Sequence, residues 1–182
     1  MAPRILALAG SVREGSFNKK AVDIAAQGAE AAGAEVTRLD LANYPLPIFN
    51  QDLEKEKGLP PQARDLKALF QSHQGLLIAS PEYNSSLTAL LKNTIDWVSR
   101  SEGEEGPLVA YRDKVAVLMA ASPGGLGGLR GLVHLRAILQ NIGVIVLPKQ
   151  LAVGASHEAL DSAKTQESLQ GLGRSLAEFL GS

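Results

Sequence analysis

Short, continuous apolar runs alternate along this chain with longer stretches in which apolar residues recur every three or four positions. The runs RILALAG (4–10), AEVTRLDL (34–41), GLLIASP (75–81), KVAVLMAAS (114–122) and VIVLP (144–148) have the length and aliphatic content of strands buried on both faces. Between them NKKAVDIAAQGAEAAG (18–33), PPQARDLKALFQSH (60–73), LTALLKNTIDWVSR (87–100) and LVHLRAILQNIG (132–143) carry helical spacing, and TQESLQGLGRSLAEFL (165–180) predicts a last helix. Strands without polar alternation, separated by helices, predict a parallel sheet covered on both sides. The pattern therefore predicts one α/β domain over residues 1–182 with a five-stranded, doubly wound sheet. Two stretches, NYPLPIFNQDLEKEKGLPP (43–61) and SEGEEGPLVAYRD (101–113), read as long loops, and neither has the composition of a linker between domains.

Composition narrows the chemistry. The 182 residues are 45% hydrophobic and 20% charged, with a formal net charge of −1 and no basic block, which points away from a nucleic-acid surface. There are no cysteines, so disulfides, thiol redox chemistry and cysteine metal sites are all excluded. Electron chemistry, if present, has to come from a bound cofactor. No apolar run reaches the roughly 18 residues of a membrane span. The start, MAPRILALAGSVRE, meets Arg13 and Glu14 too soon for a signal peptide and reads as a first strand, so the expected location is cytoplasmic.

In an open parallel sheet, ligands bind beyond the carboxyl ends of the strands, so the loops after strands one, three and four are the candidates. The first, GSVREGSFN (10–18), has the glycine spacing of a nucleotide-triphosphate loop, but Ser16 stands where the lysine would be, and the dinucleotide fingerprint is also missing. What remains is a nest of backbone N–H groups, the hydroxyls of Ser11 and Ser16, the amide of Asn18 and the charge of Arg13, ahead of a helix N-terminus that favours an anion. These donors suit one phosphate monoester; Ser16 serves equally as a plain helix cap, with Arg13 solvated. After strand three, Pro81, Tyr83 and Asn84 offer a rigid backbone, an aromatic face and an amide, and Ser85 or Ser86 can cap the next helix. After strand four, Gly124, Gly125, Gly127, Gly128 and Gly131 let a backbone lie against a flat ligand or simply turn tightly. A phosphate pocket, a loop along a ring and a glycine wall on one sheet edge together suit flavin mononucleotide (FMN).

On the helix 87–100, Leu87, Leu90, Leu91, Thr94, Ile95 and Val98 form the stripe expected to face the sheet. A second stripe, Asn93, Asp96, Trp97 and Arg100, reads either as a solvated face with Trp97 half-buried under a loop or as a subunit interface, the reading preferred here, with Asp96 and Arg100 spaced to pair. The histidines, His73, His134 and His157, are scattered and read as surface or helix residues, and no GxSxG elbow is present.

The motifs GSVREGSFN, PEYNSSLTALLKNTIDWVSR and SPGGLGGLRGLVHLRAIL resemble the NADPH-dependent FMN reductase family, the flavodoxin-like NAD(P)H:quinone and chromate reductases, over most of residues 4–150. The resemblance implies a flavodoxin-like fold with strand order 2-1-3-4-5, FMN as cofactor, NADPH or NADH as donor, and a dimer or tetramer. It implies that Ser11, Arg13, Ser16, Phe17 and Asn18 hold the phosphate, that Pro81, Glu82, Tyr83, Asn84 and Ser85 lie along the isoalloxazine, and that Ser122, Gly124 and Gly125 form the third flavin loop. Glu82 and Arg100 also resemble residues near the family's subunit contact. The chain departs from the family at Thr88, where many relatives have proline, and in PKQL (148–151), which lacks an acid often found there. The implied activity is hydride transfer from NAD(P)H through flavin to a quinone, free flavin, azo dye or chromate, with no metal. Competing readings are a flavodoxin-type electron carrier, a flavin-dependent sensor, or an α/β protein acting on a phosphorylated metabolite. Carriers tend to be strongly acidic to attract partners, and this chain is nearly neutral.

Overall fold

A computed structural model describes residues 1–182. Five strands, β1 (Arg4–Ala9), β2 (Glu35–Leu39), β3 (Gly75–Ala79), β4 (Val115–Ala121) and β5 (Ile145–Val153), form one sheet in the order β2-β1-β3-β4-β5, every pair parallel. The helices are α1 (Phe17–Ala31), α2 (Gln51–Lys57), α3 (Pro61–Gln71), α4 (Ala89–Val98), α5 (Leu129–Asn141), α6 (Ser156–Ala159) and α7 (Ala163–Gly181). Strand order and flavodoxin-like architecture are as expected. The helix α2 lies in a segment expected to be a loop, and α6 in one for which no element was expected.

Alternation along the strands divides the core in two. Ile5, Ala7, Ala9, Leu77, Val117 and Met119 face α1 and α7, whereas Leu6, Leu8, Leu76, Ile78, Leu118 and Ala120 face α3, α4 and α5. The first layer is rich in alanine, and there α1 and α7 touch backbone to backbone at Gly28 and Gly173. β5 runs five residues beyond the expected strand. Its register slips between Val146 and Gln150, and Arg136 of α5 stitches the irregularity by donating to the carbonyls of Val146, Leu147 and Pro148 and to Gln150 Oε1.

Three expectations for side chains are corrected. The stripe Asn93, Asp96, Trp97 and Arg100 is not a free face: Trp97 is fully buried by the chain's own segment 44–58. Its Nε1 donates to the Pro47 carbonyl at 2.7 Å, Phe49 packs edge-on at 5.0 Å, and Asn93 bonds both Phe49 N and Pro47 O. Arg100 pairs with Glu54 of α2 at 2.7 Å and Asp96 with Lys92, not with each other. The reason is that α2 buries none of its own residues, so the strap that carries it adds no periodic signal to the sequence while covering α4. His73, read as a surface or helix residue, is also buried: its Nδ1 lies 2.6 Å from the Leu69 carbonyl and its Nε2 2.8 Å from Thr37 Oγ1. Burial pushes its pKa down, a trend the Leu69 contact only partly opposes and the charges of Arg4 and Lys114 reinforce.

Candidate functional site

Because all five strands are parallel, the segments after β1, β3 and β4 emerge at one sheet edge. They enclose a cleft of about 230 Å³ lined by Ser11, Arg13, Ser16, Phe17, Asn18, Pro81, Glu82, Tyr83 and Ser122, together with Ala121 and Pro123. Gly124 and Gly125 line an adjoining recess of about 210 Å³ that shares Glu82 and Ser122 with the cleft. Asn84 lies in a broader groove beyond Tyr83, and Ser85 forms the turn itself. The loops expected to meet do meet.

One end of the cleft is built for an anion. Ser16 occupies the N-cap of α1, but its hydroxyl makes no cap bond. The first-turn N–H groups of an α-helix have no partner within the helix, so those of Phe17, Asn18 and Lys19 are available along with the N-terminal dipole. Ser11 Oγ accepts from Arg13 N at 3.3 Å and shapes the loop. Arg13 donates to the carbonyls of Glu14 and Gly15, each at 3.1 Å, with its guanidinium 5.7 Å from the Phe17 ring centre. A guanidinium has five N–H donors, and the two carbonyls leave some of them for a ligand. Phe17 is in turn braced edge-on by His157 at 4.7 Å, a contact with no sequence signal because 140 positions separate the two.

Asn18 is used differently from the expectation. Its Nδ2 donates to the Ala121 carbonyl at 2.8 Å and its Oδ1 accepts from Ala121 N at 2.9 Å, both buried. The amide is thus a clamp fastening the start of α1 to the end of β4, and of the polar groups of Asn18 it is the backbone N–H in the first turn of α1 that has no partner within the helix.

The other end suits a flat group. Tyr83 and Ser86 exchange two backbone hydrogen bonds around Asn84 and Ser85, both with positive φ, 50° and 68°. This pattern is the tight turn in which both central residues are left-handed. It leaves Tyr83 60% exposed at the mouth of the cleft. Across from it, a side chain at Gly125 would meet nothing within 4 Å, so its backbone is open to a ligand. Gly127 and Gly128 have positive φ and pack so closely that a Cβ would stand 2.6 Å from Gly154 N and 2.7 Å from the Ala120 side chain. Glycine is required there for the loop to lie flat. An anion cradle at one end, with an open glycine backbone and an exposed aromatic at the other, fits the single phosphate and planar rings of FMN.

Two further residues have roles at the site that were not expected. The cap of α4 is Thr88, not Ser85 or Ser86: its hydroxyl accepts from Leu91 N at 3.2 Å and donates to the Gly10 carbonyl at 2.8 Å, tying the first loop to α4. Arg130 was not singled out. It holds Glu82, whose carboxylate also accepts from Gly131 N at 3.0 Å.

Comparison with known proteins agrees with this geometry. The family model for NADPH-dependent FMN reductase matches residues 3–158. The chain is 37% identical over 137 residues to an NAD(P)H:quinone oxidoreductase of Solanum tuberosum, covering 74% of this chain and 66% of that one, just under two thirds of the relative's length. It is 32% identical over 160 residues to an NAD(P)H-dependent FMN reductase of Pseudomonas aeruginosa, covering 87% and 82%. Among solved structures it is similar to FerB, a flavoenzyme NAD(P)H:(acceptor) oxidoreductase from Paracoccus denitrificans, with a TM-score of 0.79 and 26% identity over 98% of this chain and 97% of the other. On a match spanning nearly all of the sheet and its three loops, the chain belongs to the NADPH-dependent FMN reductase family.

Proposed function

We propose that residues 1–182 act as one FMN-binding unit, a cytoplasmic homo-oligomeric oxidoreductase that takes reducing equivalents from NAD(P)H and delivers them to a small acceptor such as a quinone, free flavin, an azo dye or chromate. The observation that carries this reading is the convergence of an unspent helix N-terminus, Ser11, Ser16 and Arg13 with Tyr83 on one cleft, with the glycine loop in the recess adjoining it. Ser11, Arg13, Ser16 and the first turn of α1 would hold the phosphate. The segment Pro81–Ser85 would lie along one part of the ring system, and Ser122, Gly124 and Gly125 along another. FMN bound there would supply the hydride chemistry at its N5, the protein's part being to bind, orient and tune. Consistent with that division, the one carboxylate lining the cleft, Glu82, is committed to Arg130 and Gly131. No helix is long and apolar enough to cross a membrane.

Stopped-flow mixing of the FMN-loaded protein with NADPH tests the reading. Rapid bleaching of the flavin band, reversed by adding a benzoquinone, is expected. A flavin that binds but is not reduced by NAD(P)H alone would make the protein an electron carrier instead. Arg13→Ala tests the phosphate end. A charge-assisted hydrogen bond contributes roughly 1.5–3 kcal/mol, so the FMN Kd should rise about tenfold or more at 1.4 kcal/mol per decade. Riboflavin, which has no phosphate, should lose nothing. Equal losses for both ligands in a fluorescence titration would remove that role from Arg13.

A further inference from the structure

Glu82 is the cleft's only carboxylate, and it lines both the cleft beside the first turn of α1 and the glycine recess. Its side chain is 8% exposed, and Oε1 accepts from Arg130 Nε at 2.8 Å and Nη2 at 2.6 Å, while Oε2 accepts from Gly131 N. Burial opposes its charge, but the Gly131 N–H and Arg130 outweigh burial and keep the carboxyl below its usual range. The two loops these bonds join are packed closely: a Cβ at Gly131 would stand 3.2 Å from the Ser86 carbonyl oxygen. A salt bridge that merely decorated a surface would not carry a nearly buried carboxylate bonded to a backbone N–H at the opening turn of α5.

We propose that the Glu82–Arg130 pair is a positioning element that sets the gap between the Pro81–Ser85 loop and the glycine loop and, resting on the FMN reading, balances charge beside the bound flavin. The fixed gap follows from the bonds: Glu82 reaches from the end of β3 to the start of α5 and holds both walls at once. The charge balance follows from composition: one buried anion faces one cation, so the pair adds little net charge to the cleft. Two-electron reduction of a flavin increases its negative charge. Removing Glu82's charge leaves Arg130 unpaired and favours the reduced form; removing Arg130's charge leaves a lone carboxylate and disfavours it.

The experiment compares wild type, Glu82→Gln, Arg130→Met, the double variant and Arg130→Lys. FMN titration of each apoprotein comes first, followed by the midpoint potential of each holoprotein against a reference dye. The expected result is a potential raised in Glu82→Gln and lowered in Arg130→Met, each by on the order of tenfold in the reduction equilibrium, about 30 mV for a two-electron couple. The double variant and Arg130→Lys should lie near wild type in potential. FMN affinity should fall in Glu82→Gln and in the double variant, where the tie to Gly131 is weakened. Shifts of the same sign in both single variants, or none, overturn the charge role. Unchanged FMN affinity in every variant overturns the positioning role. Arg130 is more than half exposed, so if Glu82→Gln does not fold, Arg130→Met alone decides: a potential that stays level or rises refutes the proposal. Wild-type apoprotein that forms no FMN complex refutes the functional reading itself, a result distinct from a normal complex with the wrong potentials.

Discussion

Trp97→Ala is expected to lose about 3–5 kcal/mol of folding stability, the usual cost of truncating a fully buried tryptophan, against a total that for most domains is only about 5–15 kcal/mol. The indole is the keystone between α4 and the strap 44–58. It meets the Phe49 ring edge-on, joins Leu59 and Ala63 in a small cluster apart from the two main cores, and donates to the Pro47 carbonyl. Truncation opens a cavity, removes one of that carbonyl's two donors and leaves it only Asn93 Nδ2, and loosens Phe49 from the Arg100 guanidinium 5.4 Å away. Urea unfolding of the purified protein measures the loss, and light scattering at the same concentrations should give an unchanged mass. Trp97→Phe fills most of the space without the N–H, so its cost should be clearly smaller. Full stability together with a smaller assembly would return Trp97 to a subunit contact and contradict the packing described above.

Why the strap went unread explains much of what the sequence hides. The strands are legible because Ile5, Leu6, Leu76, Leu77 and Ile78 are buried on both faces and leave continuous apolar runs. The position of the site was legible for the same reason, since parallel strands deliver their loops to one edge. The strap contributes prolines and a charged helix with no fully buried residue, its apolar contacts being the partly buried Leu46, Phe49 and Leu53, too few and too irregular for hydropathy to show. β5 continues through the polar segment KQ because it is an edge strand whose irregularity is held by Arg136, an interaction made from another element. The roles of individual site residues were the least visible. Asn18 was expected to turn its amide to a ligand, but the partner that takes that amide, Ala121, lies 103 positions away. Glu82 was identified and Arg130, 48 positions on, was not. Residue type and spacing mark where polar groups gather; only the folded chain decides which of them are already spent on each other.

The second large effect is expected at Gly173→Ala in α7, where an added methyl group would destabilise by the upper end of the about 1–3 kcal/mol typical of overpacking, or more. A Cβ there would stand 1.8 Å from the Ala25 carbonyl oxygen, and one at Gly28 would stand 2.1 Å from the Gln170 carbonyl oxygen. The two glycines form a reciprocal notch in which each helix admits the other's backbone. The obstructing atoms are main chain, so no rotamer change relieves the clash; the helices must separate, which pulls Leu169, Leu172 and Leu176 of α7 away from the layer they share with α1. Helix propensity pulls the other way, since alanine exceeds glycine by about 1 kcal/mol inside a helix. Gly171, two positions earlier in α7, isolates that term, because a Cβ there meets nothing within 4 Å. Gly171→Ala should therefore raise the unfolding midpoint while Gly173→Ala lowers it sharply. The effect should also reach the cleft: α1 supplies the anion end through its first turn, so displacing it should weaken FMN binding in whatever Gly173→Ala protein folds, whereas Gly171→Ala should bind as wild type does. Parallel urea titrations and flavin-fluorescence titrations of the two variants measure both consequences, and equal stability of the pair would show that the α1–α7 crossing is looser than the notch requires.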